Sequence, residues 1–247
     1  MSATKDYLEA VRQILAHLEG TQMDRVEQAA GLVVEAMSTG HAIHCSGIGH
    51  GNEGDFINRA GGLAAVQPFT WSFTVNDPVA ETLKGRPGPA GFDRECAAIR
   101  LAVQAGNLRA GDVMLVSSVS GRNKGPIELT LACQEQGLKV IAFTAFSYSA
   151  KVDSVHSSGK KLLDVANVAV DIGAPFGDAA VSIPGFEFKL MPVSGVAATV
   201  AGWLIWGRVM ERMAAEGHPP TVFMSANRPG GGDFYQAALK EFHRKGY

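Results

Sequence analysis

The sequence predicts an α/β fold in which helices cover both faces of a parallel sheet. Three observations predict it: short apolar runs alternate with helical periodicity from residue 41 onward, the loops after those runs are rich in Gly and Ser, and 247 residues favour one large domain over two small ones. Strand–helix–strand units of this kind cross over with a right hand, and their ligands sit at the carboxyl ends of the strands. Function is therefore to be sought in the segments that follow each strand.

The elements run in order. Tyr7, Leu8, Val11, Ile14, Leu15 and Leu18 recur at helical spacing, as do Val26, Ala29, Ala30, Val33 and Met37, so residues 1–40 read as two amphipathic helices that pack on the domain or on a partner subunit. Residues 41–247 form the main domain. Within it, His41–Ser46 reads as a strand, Asn52–Ala60 as a helix and Leu63–Phe69 as a strand, followed by a Pro- and Gly-bearing loop from Trp71 to Gly91. Asp93–Gln104 is helical and Val113–Ser118 a strand. Pro126 opens a helix that Gly137 closes, the usual asymmetry of these two residues. Lys139–Thr144 and Val168–Ile172 are further strands, Met191 or Pro192 to Ala215 a long helix, Thr221–Met224 a short strand, and Phe234–His243 a helix in the C-terminal tail.

Composition narrows the function. Hydrophobic residues make up 46% and charged residues 19%, and 22 basic against 24 acidic groups leave a net charge of −2, which argues against disorder and against a nucleic-acid partner. Cys45, Cys96 and Cys133 are an odd, scattered set with no C-x-x-C pair, so a reducing cytoplasm is expected rather than a disulfide framework or a zinc ribbon. The first residues carry charge throughout and lack the apolar core of a secretory signal. The uncharged run from Leu190 to Gly207 contains Pro192, Ser194, Gly195, Thr199 and Gly202, and is expected to be a buried or interface helix rather than a membrane span. Trp203 and Trp206 are assigned to the core or an interface rather than to a sugar-stacking platform.

Two loops stand out. Ser117-Ser118-Val119-Ser120-Gly121-Arg122-Asn123 leaves a strand and enters a helix, offering short hydroxyls and main-chain N–H groups suited to an anion, although the same residues also make a plain turn and cap. His44-Cys45-Ser46-Gly47-Ile48-Gly49-His50-Gly51-Asn52 follows another strand, and its three glycines let a backbone approach a ligand. It matches neither the dinucleotide fingerprint nor a Walker loop. A metal site built from His41, His44, Cys45 and His50 is disfavoured, because residues three apart on a strand face opposite ways. No metal and no organic cofactor are expected.

Ser118-Val119-Ser120-Gly121 resembles the Ser-x-Ser-Gly turn of SIS (sugar isomerase) domains. His50, Arg59-Ala60-Gly61-Gly62-Leu63, Arg122-Asn123 with Pro126-Ile127-Glu128, His156-Ser157-Ser158-Gly159-Lys160-Lys161-Leu162, Gly177-Asp178-Ala179 and Ser225-Ala226-Asn227 together resemble one SIS subfamily, the UPF0309-type proteins, over nearly the whole chain. The resemblance implies a three-layer α-β-α domain with a five-stranded parallel, Rossmann-like sheet. It also implies a homodimer or tetramer with a phosphorylated sugar near the subunit interface. The family's phosphate role passes to Ser118, Ser120, Gly121, Arg122 and Asn123, with Gly47, Gly49 and Gly51 lining the opposite wall. Gly51 stands where related phosphoheptose isomerases have a Ser, and Ser46 is the candidate replacement donor.

Aldose–ketose isomerisation needs a group that takes a proton from the carbon beside a carbonyl and returns it to the neighbouring carbon. Asp55, with Glu53 nearby, and His50 are candidates at the second loop, although the two carboxylates also suit a helix start. Glu187 lies among aromatics before the long helix, where burial would raise its pKa toward that of a general base. The phosphoheptose isomerases carry a catalytic His on that helix, where this chain offers Ser194. His156 with Lys160 is a candidate for substrate hydroxyls or for a subunit contact, and Asn227 and Asp233 for a tail over the site. The expected function is thus an aldose–ketose isomerase of a sugar phosphate acting through an enediol. The rivals are a phosphosugar lyase or etherase and a non-catalytic phosphosugar sensor.

Overall fold

The computed structural model describes residues 2–50 and 52–247. The chain begins with α1 (Ala3–Thr21) and α2 (Met23–Ser38), then enters β1 (Ile43–Gly49) and β2 (Val66–Phe69). There follow α3 (Arg94–Ala105), β3 (Val113–Ser117), α4 (Lys124–Glu135), β4 (Lys139–Thr144), the short α5 (Phe146–Ser149) and α6 (Leu162–Val165), and β5 (Val168–Asp171). A small hairpin of β6 (Ala179–Val181) and β7 (Leu190–Pro192) leads into α7 (Ser194–Ala215), and α8 (Gly231–Lys245) ends the chain. Five strands form one parallel sheet in the order β2-β1-β3-β4-β5. Its chain order reverses between β1 and β3, the switch point where a crevice opens in sheets of this type.

The inner strands are apolar without alternation because both faces of the sheet are covered. Val113, Leu115, Ile141 and Phe143 point into one core with Val33, Met37, Ile205 and Val209 from α2 and α7. Met114, Val116, Val140 and Ala142 point into the other, against Ile99, Val103, Ile127 and Leu129 from α3 and α4. The period of two sorts neighbouring residues to opposite layers. Each fully buried Leu, Ile or Phe contributes about 1.5–3 kcal/mol over leaving it in water. The uncharged run becomes α7, whose Ala197, Ala198, Ala201 and Ile205 are entirely buried and whose Trp206 packs on Phe56. No helix among the described residues is long and apolar enough to cross a membrane.

Several elements differ from expectation. The helix predicted over Asn52–Ala60 is a single 3-10 turn, Glu53–Asp55. Its polar side chains are drawn to α7 instead: Asn52 donates to the Gly195 carbonyl and to Thr199 (both 3.4 Å), and the Thr199 hydroxyl donates to Asp55 (2.7 Å). Asn58 then adopts a left-handed φ of 54°, which no helix continues through. The strand predicted at Thr221–Met224 is one antiparallel bridge between Val222 and Leu63. The long helix starts at Ser194 because Leu190–Pro192 is committed to the hairpin. The first two helices pack on their own domain, burying Ile14, Leu18, Val26, Ala29 and Ala30 in its core.

Candidate functional site

A cavity of about 240 Å³ opens at the carboxyl ends of β1 and β3, between the turn that leaves β3, Gly49 and His50, Tyr148 on α5, and the Gly177–Asp178 turn. The turn is shaped by Gly121, whose φ of +63° suits Gly and whose absent Cβ would lie 2.8 Å from the Thr144 hydroxyl. Neighbouring segments take up its carbonyls. Ala145 N–H donates to Val119 (2.9 Å), Leu162 N–H to Gly121 (2.8 Å) and Val155 N–H to Arg122 (3.1 Å). The N–H groups of Val119, Ser120, Arg122 and Asn123, and the hydroxyls of Ser118 and Ser120, meet no acceptor among the described residues. These donors stand at the start of α4, a helix of 12 residues whose positive end adds to them. Ser118, Ser120 and Asn123 line the cavity. Gly121 shapes the turn from behind, and Arg122 holds a buried Nε without a partner.

The facing wall is set by an irregularity in β1. The register against β3 shifts between Cys45 and Gly49, and the extra residues re-aim the strand end. Gly49 has a φ of +88°, and a Cβ there would sit 2.0 Å from the Ser117 carbonyl. His50 N–H donates to that same carbonyl (2.9 Å), so the imidazole is held over the cavity mouth. Its Nε2 lies 3.0 Å from the Ser194 hydroxyl, which donates to Asp178 Oδ2 at 2.6 Å. Asp178 Oδ1 accepts the N–H groups of Ser194 (2.9 Å) and Val193 (3.3 Å), capping α7. Asp178 itself sits at a φ of +67°, a conformation costly for a residue with a Cβ.

Comparison with known proteins decides the family. The SIS domain matches residues 6–145, and the UPF0309 protein of Shouchella clausii is 32% identical over 99% of this chain and 98% of its own length. The chain belongs to the SIS-domain family, UPF0309 group. The UPF0309 protein of Halalkalibacterium halodurans is 32% identical over 98% of each chain. A solved phosphoheptose isomerase from Neisseria gonorrhoeae shares the fold, with a TM-score of 0.51 at 16% identity over 86% of this chain and 97% of its own. The five-stranded parallel sheet and its two helical layers are those of a SIS domain.

Within this SIS domain, several residues singled out in the sequence do not reach the cavity. Asp55 is occupied by Thr199. Ser46 is buried, accepts the Ile48 N–H (3.0 Å) in a local turn and does not line the cavity. Gly47 lies against Glu53, and Gly51 falls outside the described residues. Glu53 has a buried Oε2 without a partner, and its charge adds to burial in pushing the Cys45 thiol up to about 12. Glu187 is exposed at the tip of the β6–β7 hairpin, where Phe186 and Phe188 are 56% and 68% exposed, so the expected desolvation is missing.

His156 is the largest displacement from expectation. It is buried, with Nε2 2.6 Å from Glu128 Oε2 and Nδ1 taken by the Ser158 N–H (3.1 Å) and hydroxyl (2.8 Å). Arg100 pairs with the other Glu128 oxygen and with Glu135. Cys96 joins this group, so that three metal-ligand atoms, from Cys96, Glu128 and His156, lie within 4.8 Å of one another. The chemistry does not favour an ion there. The carboxylate is already shared by Arg100 and His156, and burial together with the Glu128 charge pushes the Cys96 thiol up to about 11, away from the thiolate a metal needs.

Asp178 and Tyr148, which line the cavity, and Ser194, bonded to Asp178, are the residues whose roles the sequence did not disclose. A signal existed for Asp178, in the Gly177-Asp178-Ala179 match, but nothing local tied it to a helix start 16 residues on.

Proposed function

We propose that this SIS-domain protein is a sugar-phosphate isomerase, with the phosphate held by the 118–123 turn and His50 moving the proton. The observation that carries the reading is the convergence of uncommitted donors with one imidazole on a single cavity at the sheet's switch point. A phosphate offers acceptor oxygens and negative charge, and the turn offers hydroxyls, main-chain N–H groups and a helix start. The sugar carbons would then extend toward His50. A base there takes the proton from the carbon beside the carbonyl, giving an enediol, and returns it to the neighbouring carbon while the carbonyl and hydroxyl oxygens exchange a proton. Of the three proton carriers expected from the sequence, His50 is favoured because it alone lines the cavity, while Asp55 lies against Thr199 and Glu187 out in solvent. Free thiols at Cys45, Cys96 and Cys133 support work in a reducing cytoplasm. Exposed Phe73, Val75, Phe92 and Leu101 support association of subunits.

The test is incubation with a panel of aldose and ketose phosphates in deuterated water, read by NMR and mass spectrometry. Deuterium entering beside the carbonyl with no change of carbon skeleton is expected for at least one member. Loss of a leaving group would replace the reading with a lyase, and tight binding without exchange would replace it with a sensor. Ser118→Ala with Ser120→Ala should weaken the phosphorylated sugar by at least tenfold, since each charge-assisted bond contributes about 1.5–3 kcal/mol. An equal loss for the unphosphorylated sugar would overturn the phosphate assignment.

A further inference from the structure

We propose that Asp178 and Ser194 are positioning residues that fix the tautomer of His50, placing its proton on Nε2 and leaving Nδ1 as the basic nitrogen for the ligand in the cavity. The inference rests on the reading of the same cavity and deepens it. It follows from counting protons along one chain of contacts. A carboxylate only accepts, so the Ser194 hydroxyl spends its single proton on Asp178 Oδ2 at 2.6 Å. The remaining capacity of that oxygen is to accept. His50 Nε2, 3.0 Å away, must therefore be the donor. Nδ1 meets no hydrogen-bond partner among the described residues, and the ring lines the cavity.

Each member of the chain is also held by something besides this line of side-chain contacts. Ser194 is entirely buried at the first position of α7. Asp178 is tied by its other oxygen to the N–H groups of Val193 and Ser194. His50 is fixed through its own N–H to Ser117. Capping α7 would need only one carboxylate oxygen; the second, the Ser194 hydroxyl and the imidazole form a line that helix capping alone does not require. Asp178 keeps this place at a left-handed φ, a strain proteins retain where the surroundings over-determine it.

The geometry makes an isosteric variant the decisive probe. In Asp178→Asn the amide oxygen is kept at the α7 N–H groups, which only donate, and the amide nitrogen turns to Ser194. The Ser194 hydroxyl then accepts from the amide and donates to Nε2, so the imidazole proton moves to Nδ1. Histidine-labelled protein, observed by long-range 15N–1H correlation at a pH where the ring is neutral, reads this directly and without substrate. His50 in the unaltered protein should show a protonated Nε2 and a bare Nδ1, and Asp178→Asn should reverse the pattern. Ser194→Ala, which removes the acceptor and leaves the Asp178 cap, should give a mixture of the two. A protonated Nδ1 in the unaltered protein, or an identical pattern in all three, overturns the proposal. If the sugar-phosphate activity is established, Asp178→Asn should lower kcat by roughly 10²–10⁴, the worth of a general base, with little change in KM, because the phosphate grip lies on the other wall. Tautomers that move as stated while no sugar phosphate exchanges deuterium would uphold this inference and reject the isomerase reading alone.

Discussion

Two segments of this chain look alike in sequence and behave oppositely. Residues 118–123, Ser-Val-Ser-Gly-Arg-Asn, and residues 154–160, Ser-Val-His-Ser-Ser-Gly-Lys, both combine Ser, Val and Gly with a basic residue. The second has the side chains of Ser154, His156 and Ser158 engaged within the protein. The Ser154 hydroxyl donates to the Lys160 carbonyl (2.7 Å) and accepts the His156 N–H (3.1 Å), the Ser158 hydroxyl accepts the Lys160 N–H (3.2 Å), and both His156 nitrogens are taken. The first leaves two hydroxyls and four N–H groups uncommitted around a cavity. The histidines follow the same division, since His156 has both nitrogens engaged and His50 only one. Capacity for a ligand lies where the protein has not satisfied its own polar groups. The satisfied segment and the helix start that follows it nonetheless serve the other, because Val155 and Leu162 hold the carbonyls of Arg122 and Gly121.

The largest effect expected from this contrast is on stability. Glu128→Ala removes a buried carboxylate shared by His156 and Arg100, and breaking such a pair from one side costs about 3–5 kcal/mol. Ser118→Ala removes a hydroxyl with no partner of its own, and should change stability by about 0.5 kcal/mol at most. Urea unfolding of the two variants checks the comparison. Similar losses in both would mean that the two segments do not differ in the way described.

Gly49 sharpens the same point on the cavity's far wall. Gly49→Ala forces a Cβ to within 2.0 Å of the Ser117 carbonyl at a φ of +88°, so a cost of about 1–3 kcal/mol is expected together with loss of the His50 N–H bond to that carbonyl. Gly54→Ala, an exposed site with nothing within 4 Å of the new methyl, should stay within about 0.5 kcal/mol. Equal unfolding midpoints would show that the strand end tolerates relaxation and that His50 is not locked.

The inner sheet was legible because its physics is local: a strand covered on both faces must be apolar along its length, and β3 and β4 show it. The turn after β3 was legible for a related reason, since Ser and Gly between a strand and a helix have few roles. The segment after β1 was misread because Asn52 and Asp55 answer to Thr199 on α7, far along the chain, and tertiary contacts override helical preference. The strands of the β6–β7 hairpin are three residues each and mixed in burial, and Met191 within β7 has a φ of 63°, so they carry no period to detect. The His50–Ser194 contact spans 144 positions and exists only once the sheet has brought β1 beside the start of α7. His156 was overvalued because a Ser-rich loop around a histidine has the same composition whether its groups face a ligand or each other.

A third histidine gives the smallest effect and a different case from either of the others. His44, on β1, is largely buried, and its Nε2 lies 3.6 Å from Asp112 without forming a hydrogen bond. Burial pushes its pKa below the ordinary 6.5, and the Asp112 charge offsets only part of that. The unfolded chain therefore binds the proton more readily than the folded one. Stability is fully present above the unfolded value and is lost as pH falls from about 6.5 through the lower folded pKa, with a slope of at most about 1.4 kcal/mol per pH unit for one proton. Urea midpoints measured between pH 7.5 and 5 should fall more steeply for the unaltered protein than for His44→Leu, where this proton is gone and the carboxylates still titrate. Parallel curves would show that His44 takes its proton as easily folded as unfolded, and that Asp112 balances burial in full.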